Sequence, residues 1–256
     1  MPEVSRAVSE RCGDFPCESD ETRAWVERWL SPARFGPYLE AANGNVGKAL
    51  ELYHWNVRLC QTLMGNIGCF EVALRNAYDR TLCEAWNGNE HWLFDKLSPV
   101  RRAIMRTSKG GRMLDVNLPN RKAIGQARDR AHDPNDPNQV ISNLMLGFWS
   151  HLTDRSRERD LWIPALHRAW SKGTDRAVLH RHLYAINKVR NRVAHNERLF
   201  NPVREEFRPS LVDAHIVRLM DELSPEATHY LYGENNGRTP FEVFCEQNPV
   251  PVEVML

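Results

Sequence analysis

The sequence lacks what a membrane protein, a disulfide-stapled protein or a zinc protein needs. None of its 256 residues falls in a run of eighteen apolar positions, which excludes a simple membrane-spanning helix. Met1-Pro2-Glu3-Val4-Ser5-Arg6 has no apolar signal-peptide core, so the expected location is cytoplasmic, with no membrane partner. The six cysteines, at 12, 17, 60, 69, 83 and 245, form no CxxC pair and show no zinc-ligand spacing. Disulfides are not expected in that compartment. Cys60, Cys69 and Cys83 stand among helix-forming residues and read as small buried hydrophobes. Strand alternation is scarce and no internal repeat occurs, which leaves an all-α chain.

Net charge is also nearly absent, at +1, but its distribution is uneven. Residues 101–130 carry nine Arg or Lys against two Asp, whereas 219–256 carry seven acids against one arginine. The first thirty residues hold seven acids and four bases. A basic middle between acidic ends marks a local anion-binding surface or a solvated helix face. Arg101, Arg102, Arg106, Lys109, Arg112, Arg121 and Lys122 are the candidates for contact with nucleic-acid phosphates. Lys109-Gly110-Gly111-Arg112 is a basic turn without the Walker pattern.

What is present is helical periodicity. Residues 1–20 read as a loose leader, residues 21–201 as one helical domain, and 202–256 as a helical extension packed on it. From Val46 to about Trp86 no proline occurs, and apolar residues recur at helical spacing. That is one long helix or two stacked ones, weakened by Gly65 and Gly68. Ser98-Pro99 predicts a helix carrying Arg101, Arg102 and Arg106 as far as Gly110-Gly111, and Pro119 starts the next, through Arg130. After the breaker Asp133-Pro134-Asn135-Asp136-Pro137, Ile141 to Leu152 predicts one buried helix. Helices are also expected over 175–198, 210–222 and 225–232.

The chemistry concentrates in Arg190-Asn191-Arg192-Val193-Ala194-His195. Arginine can hold a phosphate through several donors, and histidine moves protons near neutral pH. On an ideal helix Leu179, Leu183, Ile186, Arg190 and Val193 fall in a stripe about 80° wide, so Arg190 takes a core-facing place. Tyr184, Lys188, Asn191 and His195 cluster elsewhere within about 60°, and Asn191 at i, i+4 can orient the His195 ring. Arg190 and His195 are about 140° apart. Either the arginine reaches round its helix or a second copy of the helix completes the site. A bland reading also exists: Arg190 as a structural partner of Glu71, and His195 as a helix-terminal cation. His180 and His182 are about 200° apart, which disfavours a metal site there; no metal or cofactor is expected.

Three segments together resemble the Abi-like family of abortive-infection proteins, a branch of the HEPN helical superfamily. They are Phe70-Glu71-Val72-Ala73-Leu74-Arg75-Asn76-Ala77-Tyr78, then Ser142-Asn143-Leu144-Met145-Leu146-Gly147-Phe148-Trp149-Ser150-His151-Leu152, then Asn187-Lys188-Val189-Arg190-Asn191-Arg192-Val193-Ala194-His195-Asn196. The resemblance implies a HEPN-like helical bundle with additional helices, often a homodimer with the Arg and His of both copies in one cleft. It implies a metal-independent endoribonuclease of phage defence or of a toxin–antitoxin pair. RNA is then the substrate, and a small RNA or protein antitoxin a possible inhibitor. On that basis Arg190, Asn191 and His195 are the catalytic candidates, and Glu71, Arg75, Asn76, Tyr184, Lys188 and Asn196 support the cleft. The alternative is a HEPN module that binds RNA or protein without cutting.

Overall fold

The computed structural model describes residues 20–108 and 110–256; the expected leader, except for Asp20, and Lys109 lie outside the described residues. The chain is an all-α bundle built on one helix. In chain order the helices are α1 (Asp20–Leu30), α2 (Pro32–Ala41), α3 (Val46–Ala85), α4 (Leu118–Arg130), α5 (Pro137–Ser142), α6 (Leu146–His151), α7 (Arg176–Ala194), α8 (Pro209–Leu223), α9 (Pro225–Tyr232) and α10 (Pro240–Gln247). Short 3-10 and π turns fill much of 155–169. No described helix is long and apolar enough to cross a membrane.

Of the two arrangements open for 46–86, the structure has one continuous helix of 40 residues, about 60 Å long. The Asn45 side chain accepts the Lys48 N–H at 2.9 Å and starts it. Leu52, Leu59, Leu63, Ile67, Phe70, Leu74 and Tyr78 are fully buried along it. Gly65 and Gly68 do not break it, because α2, α6, α7, α8 and α10 pack against it and supply the stability that propensity lacks. The C-terminal helices are locked on by polar contacts as well. Buried Asp213 of α8 accepts from Asn66 of α3 at 2.7 Å and from Thr239 at 2.5 Å. Thr239 and Glu242 also form a capping box that starts α10, a helix the periodicity did not single out.

Three expectations are corrected. Residues 98–111 do not form a helix. Met105–Thr107 (β1) pairs antiparallel with Met113–Asp115 (β2), with Arg106 opposite Leu114. The reason is local capture of backbone groups by polar side chains. Asp115 Oδ1 accepts from the Ile104 and Asn117 N–H groups, while the buried Asn117 amide donates to the Pro99 and Arg102 carbonyls. Second, the expected helix over 141–152 is two six-residue helices with Asn143–Met145 between them. Asn143 Nδ2 donates back to the Gln139 carbonyl at 2.9 Å and closes the first. Third, Cys83 is exposed and Cys69 only half-buried; Cys60 alone of the three is buried.

α7 and α8 meet through a pair of histidines. The His182 and His215 rings stack at 4.0 Å, and Arg218 donates to His182 Nδ1 at 2.7 Å. Burial pulls His182 down to about 4, helped by His215, Arg218 and Arg181, and burial lowers His215 as well. Burial likewise takes His151 to about 4. These rings bind protons more readily in the unfolded chain, where histidine titrates near ~6.5. Their contribution to stability is therefore present above that pH and is lost as pH falls toward about 4. Melting temperature is expected to drop over this window, and His215→Gln to flatten the drop.

Candidate functional site

The helix α7 delivers the arginine–histidine pair. Asp175 starts it, accepting the Ala177 and Val178 N–H groups at 2.6 and 3.0 Å, and those bonds hold its carboxyl below the usual range. Leu179, Leu183, Ile186, Val189 and Val193 are buried against the bundle. Asn196 ends the helix by adopting a left-handed conformation (φ 47°), a role open to asparagine. The Glu197 N–H then bonds back to the Arg192 carbonyl at 2.8 Å.

The chain after the helix is clamped from three sides. The Arg192 guanidinium donates to the Arg198 carbonyl. Arg34 of α2 donates to the His195 carbonyl at 3.0 Å. Asn56, wholly buried on α3, donates to the Glu197 carbonyl at 3.1 Å and accepts the Leu199 N–H at 2.9 Å. His195 is thus the C-cap residue of α7, with a fixed backbone and an exposed imidazole. Among the described residues that ring makes no hydrogen bond, and Asn191, also exposed, does not reach it.

Arg190 is half-buried, with an Nε shielded from solvent and without a partner. Glu71 of α3 is the acid that senses it. Burial raises the Glu71 carboxyl above its ordinary range; the charge of Arg190, the Leu146 backbone N–H and Arg75 pull the other way. No ion pair between Glu71 and Arg190 closes within 4.0 Å. Arg75 reaches the Ser142 carbonyl only at 3.5 Å. Glu71, Arg75 and Arg190 therefore gather where α3, α6 and α7 meet. Asn76, Lys188 and Tyr184 are exposed. The Lys188 ammonium sits 5.3 Å over the Tyr184 ring, which also packs on Phe207. Asn196 serves as the helix stop.

Much of the basic segment is engaged in pairs within the chain, even where the arginines are exposed. Arg102 and Arg106 share Asp160, at 2.9 and 2.7 Å. Arg121 pairs with Asp115 and donates to the Arg101 carbonyl. Arg101 donates to the Phe94 carbonyl, and burial lowers its pKa, with Arg128 and Arg121 adding to the effect. Arg112 and Lys122 are exposed and make no ion pair among the described residues.

Two groupings were not singled out from the sequence. One is a cavity walled by His151, His180, Asn187 and neighbours. The run His180, Tyr184, Asn187 at helical spacing was a signal for it. The other joins Asp79, Cys83 and His91, ligand types suited to a metal. His91 Nδ1 accepts the Leu93 N–H at 3.2 Å, which assigns the ring proton to Nε2. That proton faces Asp79 Oδ1 at 3.4 Å and Cys83 Sγ at 3.2 Å. Trp92 also donates to Asp79 Oδ1, at 2.8 Å. Burial raises the Asp79 carboxyl, but the bonds from His91 and Trp92 outweigh it and hold it low. The carboxylate is the acceptor of a hydrogen-bonded network, and the donor on Nε2 faces the place an ion would take.

A family model described as Abi-like protein matches residues 36–201. No curated protein and no solved structure matches the chain. The matched segment ends at the tail that Asn56 clamps. Asn56→Ala strands the buried Leu199 N–H, which costs about 1–3 kcal/mol. A urea titration should show this loss, and hydrogen exchange at the Leu199 amide should accelerate.

Proposed function

Because this chain belongs to the Abi-like protein family, we propose that it is an endoribonuclease acting in phage defence or as the toxin of a toxin–antitoxin pair. The observation that carries the reading is His195: a backbone fixed by its neighbours, presenting an unbonded imidazole five residues from the half-buried Arg190. Proton transfer and charge stabilisation are what transesterification of RNA requires. His195 takes the proton of the ribose 2′-hydroxyl as that oxygen attacks the adjacent phosphorus. Arg190 stabilises the charge on the pentacoordinate phosphorane. The bond to the 5′-oxygen breaks, a histidine returns a proton to that oxygen, and the products are a 2′,3′-cyclic phosphate and a 5′-hydroxyl end. Asn191 orients the ring when substrate is bound. None of these steps draws on a metal ion.

Arg190 is turned toward the bundle and His195 toward solvent, so one chain holds half a site in this reading and a second copy completes it. A groove of about 600 Å³ beside the motif supports the pairing. Its walls include Gly65, Gly68, Val72, Val193 and Ala194, and small side chains let a partner helix approach closely. Glu71 favours a second reading, a module that binds RNA or protein without cutting: its carboxylate can neutralise Arg190 and leave the arginine structural.

RNA incubated in EDTA should be cleaved by the wild-type chain. His195→Ala and Arg190→Ala, each verified as folded by circular dichroism, should lose about 100-fold or more in rate. Cleavage retained in both variants would overturn the assignment. Mixing the two inactive variants should recover part of the activity if sites are shared between copies. For RNA affinity, Arg112→Ala with Lys122→Ala should reduce the slope of log affinity against log salt by about 1–2. Arg102→Ala with Arg106→Ala should instead lower the melting temperature.

A further inference from the structure

An open cavity of about 480 Å³ lies between α4 and the α6–α7 pair, and the reaction above makes no use of it. Its size is within the range of small-molecule sites, about 300–1,000 Å³. The lining combines Tyr184 and Asn187 of α7, Gln126 and Arg130 of α4, and Asn143 and His151. No Asp or Glu lines it.

The lining carries polar groups that no other described residue engages. The Asn187 and Gln126 amides and the Tyr184 hydroxyl make no hydrogen bond among the described residues. His151 contributes ring surface to the wall, with its Nε2 turned away from solvent. Asn143 gives one proton to the Gln139 carbonyl and keeps its amide oxygen free. An amide offers a donor and an acceptor side by side, the pairing displayed by the edge of a nucleobase. Tyr184, whose ring carries Lys188 and packs on Phe207, contributes its hydroxyl as a further donor and acceptor.

Arginines stand at and behind the lining, and Asp154 lies 3.8 Å from the lining His180. Arg130 stands in the lining, and Arg157 lies behind it, fully buried, with Nη2 3.4 Å from Asn120 Oδ1. Arg157 has no ion pair among the described residues, and its Nε has no hydrogen-bond partner. Burial brings its pKa down only to about 10, so the charge persists at neutral pH. Arg130, exposed at the lining, is a donor that a phosphate beside the cavity can use. The free amides make a purely apolar ligand a poor fit.

Asn187 precedes Arg190 by three residues and Asn191 by four, which makes them neighbours on the helix surface, about 5–6 Å apart at Cβ. We propose that this cavity holds the base of one unpaired ribonucleotide, next along the RNA strand from the phosphate at Arg190, and so sets the cleavage preference. Its place in the strand rests on the endoribonuclease reading; its capacity to take a nucleotide does not.

Calorimetry with the full chain tests it, using the four ribonucleoside 5′-monophosphates, short single-stranded oligoribonucleotides, and ribose 5-phosphate as the control without a base. At least one base should bind, more tightly within an oligonucleotide, and ribose 5-phosphate should bind at least about tenfold more weakly. Asn187→Leu and Ala123→Phe, which fills the cavity from α4, should each weaken binding about tenfold. Gln126→Leu tests the same polar edge from an exposed position should either of those fail to fold. His195→Ala should keep nucleotide binding while losing cleavage. Mononucleotides that bind as tightly as oligonucleotides would overturn the place in the strand and leave a free-nucleotide site. Binding of no nucleotide, or binding unchanged in the folded cavity variants, would overturn the proposal altogether. Nucleotide binding without any RNA cleavage in EDTA would sink only the endoribonuclease reading.

Discussion

A 40-residue helix with an apolar stripe along its length has to be covered along that length, and the structure follows from this demand on α3. Helices from both ends of the chain lie on it: α2 before it, then α6, α7, α8 and α10 after it. Burial of leucines and aromatics supplies the drive, but it is non-directional and does not fix which helix sits where. Two buried amides on α3 do that. Asn56 takes both backbone groups of the tail behind the arginine–histidine helix. Asn66, three turns further on, reaches Asp213 and through it Thr239. A wrong docking would leave these groups buried and unpaired, at a cost of about 1–3 kcal/mol each.

The same arrangement gives the arginine and the histidine different surroundings. Arg190 is drawn into the junction of α3, α6 and α7, near a carboxyl whose own charge is discouraged by burial. His195 stands past the last turn of α7, where neighbours hold its carbonyl and leave its ring in water. A charge stabiliser benefits from a low-dielectric position and a proton carrier from mobility and access. The separation thus suits the proposed division of labour. In the proposed reading a second copy of the chain completes the site.

The basic stretch shows how composition and surface diverge. Counting charges over 101–130 suggests one phosphate-binding face. In the folded chain Asp160, distant in sequence, takes up both Arg102 and Arg106, and Asp115 takes up Arg121. The hairpin that replaces the expected helix exists because Asp115 and Asn117 bond to backbone groups that a helix would have used. The break at Asn143–Met145 has the same origin in one side-chain amide. Such captures leave little trace in hydrophobic periodicity, whereas longer periodic segments such as α3, α7 and α8 were legible from it.

The helical class, the long proline-free helix, and the stripe that places Arg190 inward were determined by the sequence alone. They follow from the fixed 100° step per residue and from where apolar side chains fall on it. The helix α7, by contrast, ends at Ala194, short of the expected 198, and leaves His195 as its C-cap. Tertiary structure decided the rest. Which arginines are free depends on acids far along the chain. Cys83 falls with Asn76, Arg80 and Glu84 on the face of α3 that no other described helix covers, and the cavity beside Asn187 exists because α4 stands off from α6 and α7. Packing and long-range polar pairing depend on the three-dimensional neighbourhood, and no local pattern records it.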